Sequence, residues 1–582
     1  MHRRNFLPPQ LLSGLLIASL PGAIFFTVPH RPSIRQALPC SGVLPMAISR
    51  HQSSLFASTT APSRLKDTLI EEHDVVVIGS GIGGLSCASL CSATYGLDVA
   101  VVESHYHCGG AAHAFEIDGF IFDSGPSLFS GLSQDASPNP LLHVFQAIDE
   151  KVDWLTYNTW GVCLPYGNFA ATIGPEPFRD ILKTYGGKDA QEQWERFMAL
   201  INPLSEAAMA LPPSVLRNDP GVLLTMARFW QAVATTIPKG PQLQQPFSTV
   251  LAEAGVTDPF IRDWLSLLCF LLQGMTEEGT MTAVMAYMLA DWYRPNVLLD
   301  YPRGGTGAVI DALVRGVTKT GGKVYTSAHV EEILIEGDRA VGVRLRSGKI
   351  LRARRGVVSN ASVWNTARLL PAGLLPEYQE RVGRVSQTES FLHLHLGIAA
   401  EGLPGDLQCH YAVVDDFSQP INSPGNVVII SIPSLLDPSL APTGSHTIHA
   451  YTAGNEPFAL WEGLDRQGPD YKRLKEERSE ILWRAIEKVI PDVRARIKLS
   501  LAGTPLTHAR FLRRDRGTYG PAIRAGKDSY PSANPLPGLH LCGDSVFPGI
   551  GMPAVAASGS IAANNLVSVR QHWKMLDKLR LE

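Results

Sequence analysis

The chain has 582 residues, 45% hydrophobic and 18% charged, with a formal net charge of -3. A chain this long and apolar builds more than one lobe around large cores. The near-neutral balance excludes a nucleic-acid binder, which needs a basic face to neutralise phosphates, and the scattered cysteines, with no CxxC pair, exclude a disulfide framework.

From Met1 to Lys66 there is no Asp or Glu, while six arginines and Lys66 supply positive charge; removing these seven charges takes the net charge from -3 to -10. MHRRNFLPPQLLSGLLIASLPGAIFF has a basic start and an apolar stretch broken by Pro21, too short for a comfortable membrane span. A Ser/Thr/Arg-rich, acid-free region follows. Residues 1–66 therefore read as a signal plus transit presequence of the two-part kind that algae use for plastids behind extra membranes. The competing reading is an N-terminal anchor with a disordered tail.

HDVVVIGSGIGGLSCASLCSATYGLDVAVVESH comes next. Val75–Ile78 is a β-branched run that predicts a buried parallel strand. Gly79, Gly81 and Gly84 then give GxGxxG at the entry of a small-residue helix, with Gly83 between them. Val99–Val102 predicts a second strand, and Glu103 at its end is placed to bind ribose hydroxyls. Strand, glycine turn, helix, strand and acid together predict a dinucleotide site.

HYHCGGAAH, residues 105–113, has the histidine and cysteine density of a metal site. Metal ligation needs side chains converging on one point, whereas a loop tracking a cofactor uses its backbone. Gly109 and Gly110 favour the second reading, so no metal is expected here; Ala111 belongs to the same loop. A glycine pair at this place runs beside the pyrophosphate and flavin of FAD.

The region from 151 to 300 is apolar and aromatic. PFIRDWLSLLCFLLQGMTEEGTMTAVMAYMLADWY reads as two buried helices, interrupted at Asp263 and at Gln273–Gly279. With its neighbours it predicts a hydrophobic tunnel, opening on a membrane surface. YPRGGTGAVIDALVRG and the residues after it predict a loop, a helix and three alternating strands. In ESFLHLHLG, strand alternation puts Glu389, Phe391, His393 and His395 on one face. Glu389, His393 and His395 are the candidate acid–base groups. His508 and the basic cluster Arg510, Arg513, Arg514 and Arg516 carry no decisive signal. Near the C-terminus Pro553 fits the first position, N1, of a new helix, where its missing N–H costs nothing.

GSGIGGL, ESHYHCGGAAHAFEIDGFIFDSGPSLFSGL, YPRGGTGAVIDALVRG, ESFLHLHLG, GTPLTHARFLRRDRGTYGPA and GDSVFPGIGMPAVAASG together resemble the plant and algal carotenoid cis–trans isomerase group, within the superfamily of FAD-containing amine oxidases and phytoene desaturases. The resemblance runs from about residue 70 to 570. It implies an α/β fold: a Rossmann-type FAD-binding domain with an interleaved α+β substrate domain. The FAD-binding segments are then 67–150, 301–370 and 501–582, and the substrate segments are 151–300, mostly helical and membrane-facing, and 371–500, with a β-sheet. It implies that Val330 packs near the adenine, that Gly543–Asp544 is the second FAD fingerprint, and that Met552–Pro553 lies by the flavin. Where other branches carry Arg after the glycine pair, Ala111–Ala112–His113 stands here, as in the isomerases.

The implied function is FAD-dependent, non-redox double-bond chemistry on a carotenoid, with FAD active in its reduced form. Cis–trans isomerisation is the simplest outcome. Hydration of a xanthophyll, desaturation or saturation, and a non-catalytic carotenoid carrier are the alternatives. The implied setting is a plastid, with peripheral attachment to its membrane.

Overall fold

The computed structural model describes residues 69–134 and 137–581. The presequence reading concerns residues 1–66 and lies outside them.

Strand β1 (Ile70–Ile78) leads through the glycine turn into helix α1 (Ile82–Ser89) and on to strand β2 (Val99–Val102). The strand starts five residues before the β-branched run, because Ile70 to His73 pair with a later strand whose partners the sequence does not announce. That strand is β3 (Ile350–Ser359), parallel to β1 on the side opposite β2. Its first half pairs antiparallel with Arg339–Leu345, and its last residues pair in parallel with Leu539–Leu541. Four strands follow the helix Gly307–Thr318, one more than expected: the short Lys323–Tyr325 crosses over to the far side of β2. Val75, Val77, Val99 and Val101 point toward α1, while Val76, Ile78, Ala100 and Val102 fill a separate core on the other face. Both faces are covered, which is why these strands read as continuous apolar runs.

The second sheet is built from β4 (His393–Ala399), β5 (Ser445–Thr452) and β6 (Ile497–Gly503), with four further strands beyond β5. Leu394, Leu396 and Ile448 turn to a core covered by the helix Pro469–Glu487. The helices Ala190–Met209, Pro259–Gln273 and Thr282–Trp292 pack with Trp160 and Ile429 in another core. The long apolar run does form two helices, the first ended by Gly274 in the left-handed conformation. Asp263 does not interrupt the first; it sits inside that helix, half-buried, where Tyr166 donates to it. No helix among the described residues is long and apolar enough to cross a membrane. Helix α2 (Pro505–Phe511) follows β6, and α3 (Met552–Asn565) returns to pack on α1.

Candidate active site

The first turn, the glycine-pair loop and the C-terminal fingerprint meet in one place. Gly79 has φ +90°, open to glycine at little cost. A β-carbon on Gly84 would collide with the Gly79 carbonyl oxygen, so the helix can close on the strand only with glycine there. Gly81 bridges in parallel to Gly109, whose N–H donates to the Ser80 carbonyl over 3.0 Å. A β-carbon on Gly83 would lie 3.0 Å from both the Gly543 nitrogen and the Val555 oxygen. Backbones separated by more than 400 residues of sequence therefore touch, because side chains are missing between them.

Gly81, Gly83, Gly109, Ala111, Gly543 and Asp544 line one end of a cavity of about 610 Å³. The first residues of α3, Met552 and Pro553, line it too, so its open N–H groups lie at this wall. Pro553 is the second residue of the helix, not the first, after Gly551 as N-cap. Gly79, Gly84 and Gly110 are not part of the lining. Glu103 is not either: its oxygens accept from Ser80 N–H and Oγ–H, each over 2.8 Å, and from His105 N–H over 2.7 Å. In this structure the acid pins the turn that holds the cradle. Val330 is buried in the core beside β3, also away from the cavity lining.

Asn360, just past β3, was not visible as a site residue in the sequence. Its N–H donates to the Ile78 carbonyl, and its side chain faces Gly81, Gly83 and Gly543, forming the polar floor of the cradle. Arg514, from the basic cluster, forms an ion pair with Asp544 and also donates to the carbonyls of Thr518 and Tyr519. Arg516 instead pairs with Glu462 at the surface.

His105, His107 and His113 pack their rings against one another and do not converge on a point. His113 Nδ1 donates to the Gly110 carbonyl over 2.8 Å, and burial lowers its pKa to about 4. It thus stiffens the glycine pair as a neutral imidazole.

The predicted acid–base face is only partly assembled. Phe391 and His393 line the cavity, as does Tyr451 of β5. His395 is buried behind them, its Nε2–H donating to the Asp123 carbonyl over 3.2 Å. Glu389 does not join them. It precedes the strand in an irregular segment, exposed, and its carboxylate accepts from Phe458 N–H. The alternation argument failed there because the strand begins only at His393. What the sequence missed is His449, from β5, and the place of His508, from α2. Both join His393 in a buried group. No spacing rule links strands that far apart.

Farther along, the lining turns apolar: Leu211, Leu243, Leu268, Leu272, Met288 and Trp292 come from the helical layer. One cavity thus joins a glycine-walled cradle, a wall of aromatic rings and imidazoles, and an apolar reach. The cradle admits a group that needs close backbone approach, and Asp544 and the N-terminus of α3 offer polar contacts to it. These residues fit a flavin dinucleotide.

Comparison with known proteins gives the same picture. The family of flavin containing amine oxidoreductases matches residues 82–567. The chloroplastic prolycopene isomerase of Daucus carota is 31% identical over 518 residues, covering 85% of this chain and 80% of that protein. The enzyme of the same name from Arabidopsis thaliana is 31% identical, with 89% and 86% covered. The all-trans-retinol 13,14-reductase of Homo sapiens is 26% identical, with 86% and 87% covered. Among solved structures, a putrescine oxidase superposes with a TM-score of 0.57 at 16% identity, covering 85% of this chain and 99% of that one. That likeness concerns the fold.

Proposed function

Because the chain belongs to the flavin containing amine oxidoreductase family, in its carotenoid isomerase-like branch, we propose that it is an FAD-dependent enzyme that isomerises a cis double bond of a carotenoid without net oxidation. The observation that carries this reading is the continuity of the cavity. The glycine cradle and the apolar reach open into each other across the imidazole wall, so an extended polyene lies against whatever the cradle holds.

Gly81, Gly83, Gly109 and Gly543 would hold the dinucleotide by backbone, with Asp544 and the start of α3 at its flavin half. When bound and reduced, FAD supplies an electron-rich ring that offsets positive charge developing on a polyene. The chain's own part is to exclude water and to supply neutral proton carriers. Phe391 packs on His508 with ring centroids 5.0 Å apart, and Tyr519 meets Phe391 edge-on at 5.3 Å, closing that wall to solvent.

Purified holoprotein incubated with cis and all-trans carotenoids, with FAD oxidised or reduced, tests the proposal by chromatography with mass detection. The expected product has unchanged mass and a changed retention time, and forms only with reduced FAD. Addition of two hydrogens is the second reading, favoured by the relationship to all-trans-retinol 13,14-reductase. Addition of one water would make the protein a hydratase. A bound carotenoid with no product would make it a carrier.

We place the enzyme in a plastid, as the chloroplastic relatives suggest, attached to the membrane surface. Leu223, Leu224 and Trp230 are 46%, 58% and 64% exposed on two successive short helices. Val222 and Thr236 of the same helices line the cavity. An apolar patch beside the cavity gives a lipid-soluble substrate a way in without crossing water.

A further inference from the structure

His508, His393 and His449 stand in a row. His393 Nε2 lies 2.6 Å from His508 Nε2, and His393 Nδ1 lies 2.8 Å from His449 Nε2. The ring planes differ by only 3° and 17°, with centroids 4.7 and 5.1 Å apart. Each centroid separation exceeds its N···N distance by about one ring width. The rings are therefore nearly coplanar and meet end to end, joined by N–H···N hydrogen bonds. His395 is different: it lies face-on beneath His449, with centroids 4.2 Å apart.

The nitrogens of His393, His395 and His449 fall within 4.8 Å of one another, a density that suits a metal. Yet the facing lone pairs of His393 and His449 are directed at each other across 2.8 Å, which leaves room for a proton and not for an ion. Burial keeps all the rings neutral: His393 and His449 are pushed well below the usual imidazole range, and His508 down to about 3, with Arg514 adding to the effect.

Proton counting then restricts the row. Three neutral imidazoles carry three N–H groups on six nitrogens. The two gaps hold two, and the third sits on an outer nitrogen, either His508 Nδ1 or His449 Nδ1. Both outer nitrogens are buried and have no hydrogen-bond partner among the described residues. Leaving buried polar atoms without partners is unfavourable, and packing alone does not require it.

We propose that His449, His393 and His508 are a proton relay whose acceptor is a double-bond carbon of the polyene, an inference that rests on the carotenoid reading above. His393 and His508 line the cavity and His449 lies behind them. An excess proton from solvent makes the row one imidazolium shared over three rings. Delivery to the polyene turns the π pair of one double bond into a C–H bond. The neighbouring carbon takes the positive charge and the row becomes neutral. The bond, now single, rotates. A proton then returns from the same carbon to the row, the double bond reforms, and neither protons nor electrons are consumed.

Two measurements test the relay on the full-length holoprotein. With ¹⁵N-labelled histidine, scalar couplings across both N–H···N bonds are expected; their absence, or a stoichiometric transition metal on these rings, overturns it. In D₂O the isomerised carotenoid is expected to carry deuterium, and His449→Gln is expected to slow turnover and deuterium uptake together about tenfold, with KM and flavin content unchanged. Isomerisation with neither deuterium in the carotenoid nor slower turnover in D₂O, or His449→Gln at the wild-type rate, overturns the relay and leaves the isomerase standing. If no carotenoid is isomerised, the isomerase reading falls, and the polyene as acceptor falls with it.

Discussion

Gly81 and Asn360 face each other across the cradle so closely that a β-carbon on the glycine would lie 2.8 Å from the asparagine Nδ2. Gly81→Trp fills the space in which a pyrophosphate would run. The purified variant is expected to lose at least nine-tenths of its flavin absorbance per protein while keeping its circular dichroism. A fully yellow variant would show that the flavin sits elsewhere.

Arg514 and Asp544 are 20% and 14% exposed, so this ion pair is largely shielded from water. Arg514→Ala leaves the carboxylate beside the cavity without its partner and frees two backbone carbonyls. The expected loss is about 3 kcal/mol in urea unfolding, accompanied by weaker flavin retention. Arg514→Lys should recover part of the stability, since it restores the charge without the fork of donors.

Acid should destabilise the protein between pH 6.5 and 4. His113, His143, His540 and His572 are each lowered by burial from 6.5 to about 4. The folded value is the depressed one, so unfolding takes up protons in this window. The stability is fully present above pH 6.5 and is lost as the pH falls toward 4. Urea midpoints at pH 7 and pH 5 measure the slope. His143→Phe removes one of these protons and should flatten it; the His143 ring lies 3.1 Å from the Ser214 hydroxyl.

Leu224→Ser and Trp230→Ser should weaken binding to lipid vesicles by roughly tenfold each, since each variant withdraws one large apolar side chain from the bilayer surface. Turnover with detergent-dispersed substrate should be unchanged. Co-sedimentation equal to that of the unaltered protein would detach the patch from membranes.

Glu389→Gln should leave turnover unaltered, measured as the rate of carotenoid conversion at saturating substrate. The side chain is exposed and bound to the Phe458 N–H, outside the cavity lining.

The glycine turns around the cradle were legible because their physics is local. Gly79, Gly81, Gly84, Gly109 and Gly110 mark places where backbone must come close, and glycine alone permits it. The imidazole row was not legible, because its members come from β4, β5 and α2 and meet only in the folded chain: register sets His449 opposite His395 and so diagonal to His393, and α2 follows β6, which pairs with the other edge of β4. Asn360 escaped for a related reason. It follows a strand whose partners lie far away in sequence, and nothing in SNAS signals a floor. Glu389 misled because alternation was extended beyond the end of the strand. Glu103 was found at its place, but its hydrogen bonds run to Ser80 and His105, which sequence alone does not reveal.

Gly83 and Gly543 touch across a gap of 460 positions (543 less 83). The cradle is thus a seam between the earliest and the latest parts of the folded body. A ribosome delivers the first wall long before the second. Flavin capture therefore waits for the chain to close, and colour in a purified sample reports that both ends of the fold have found each other.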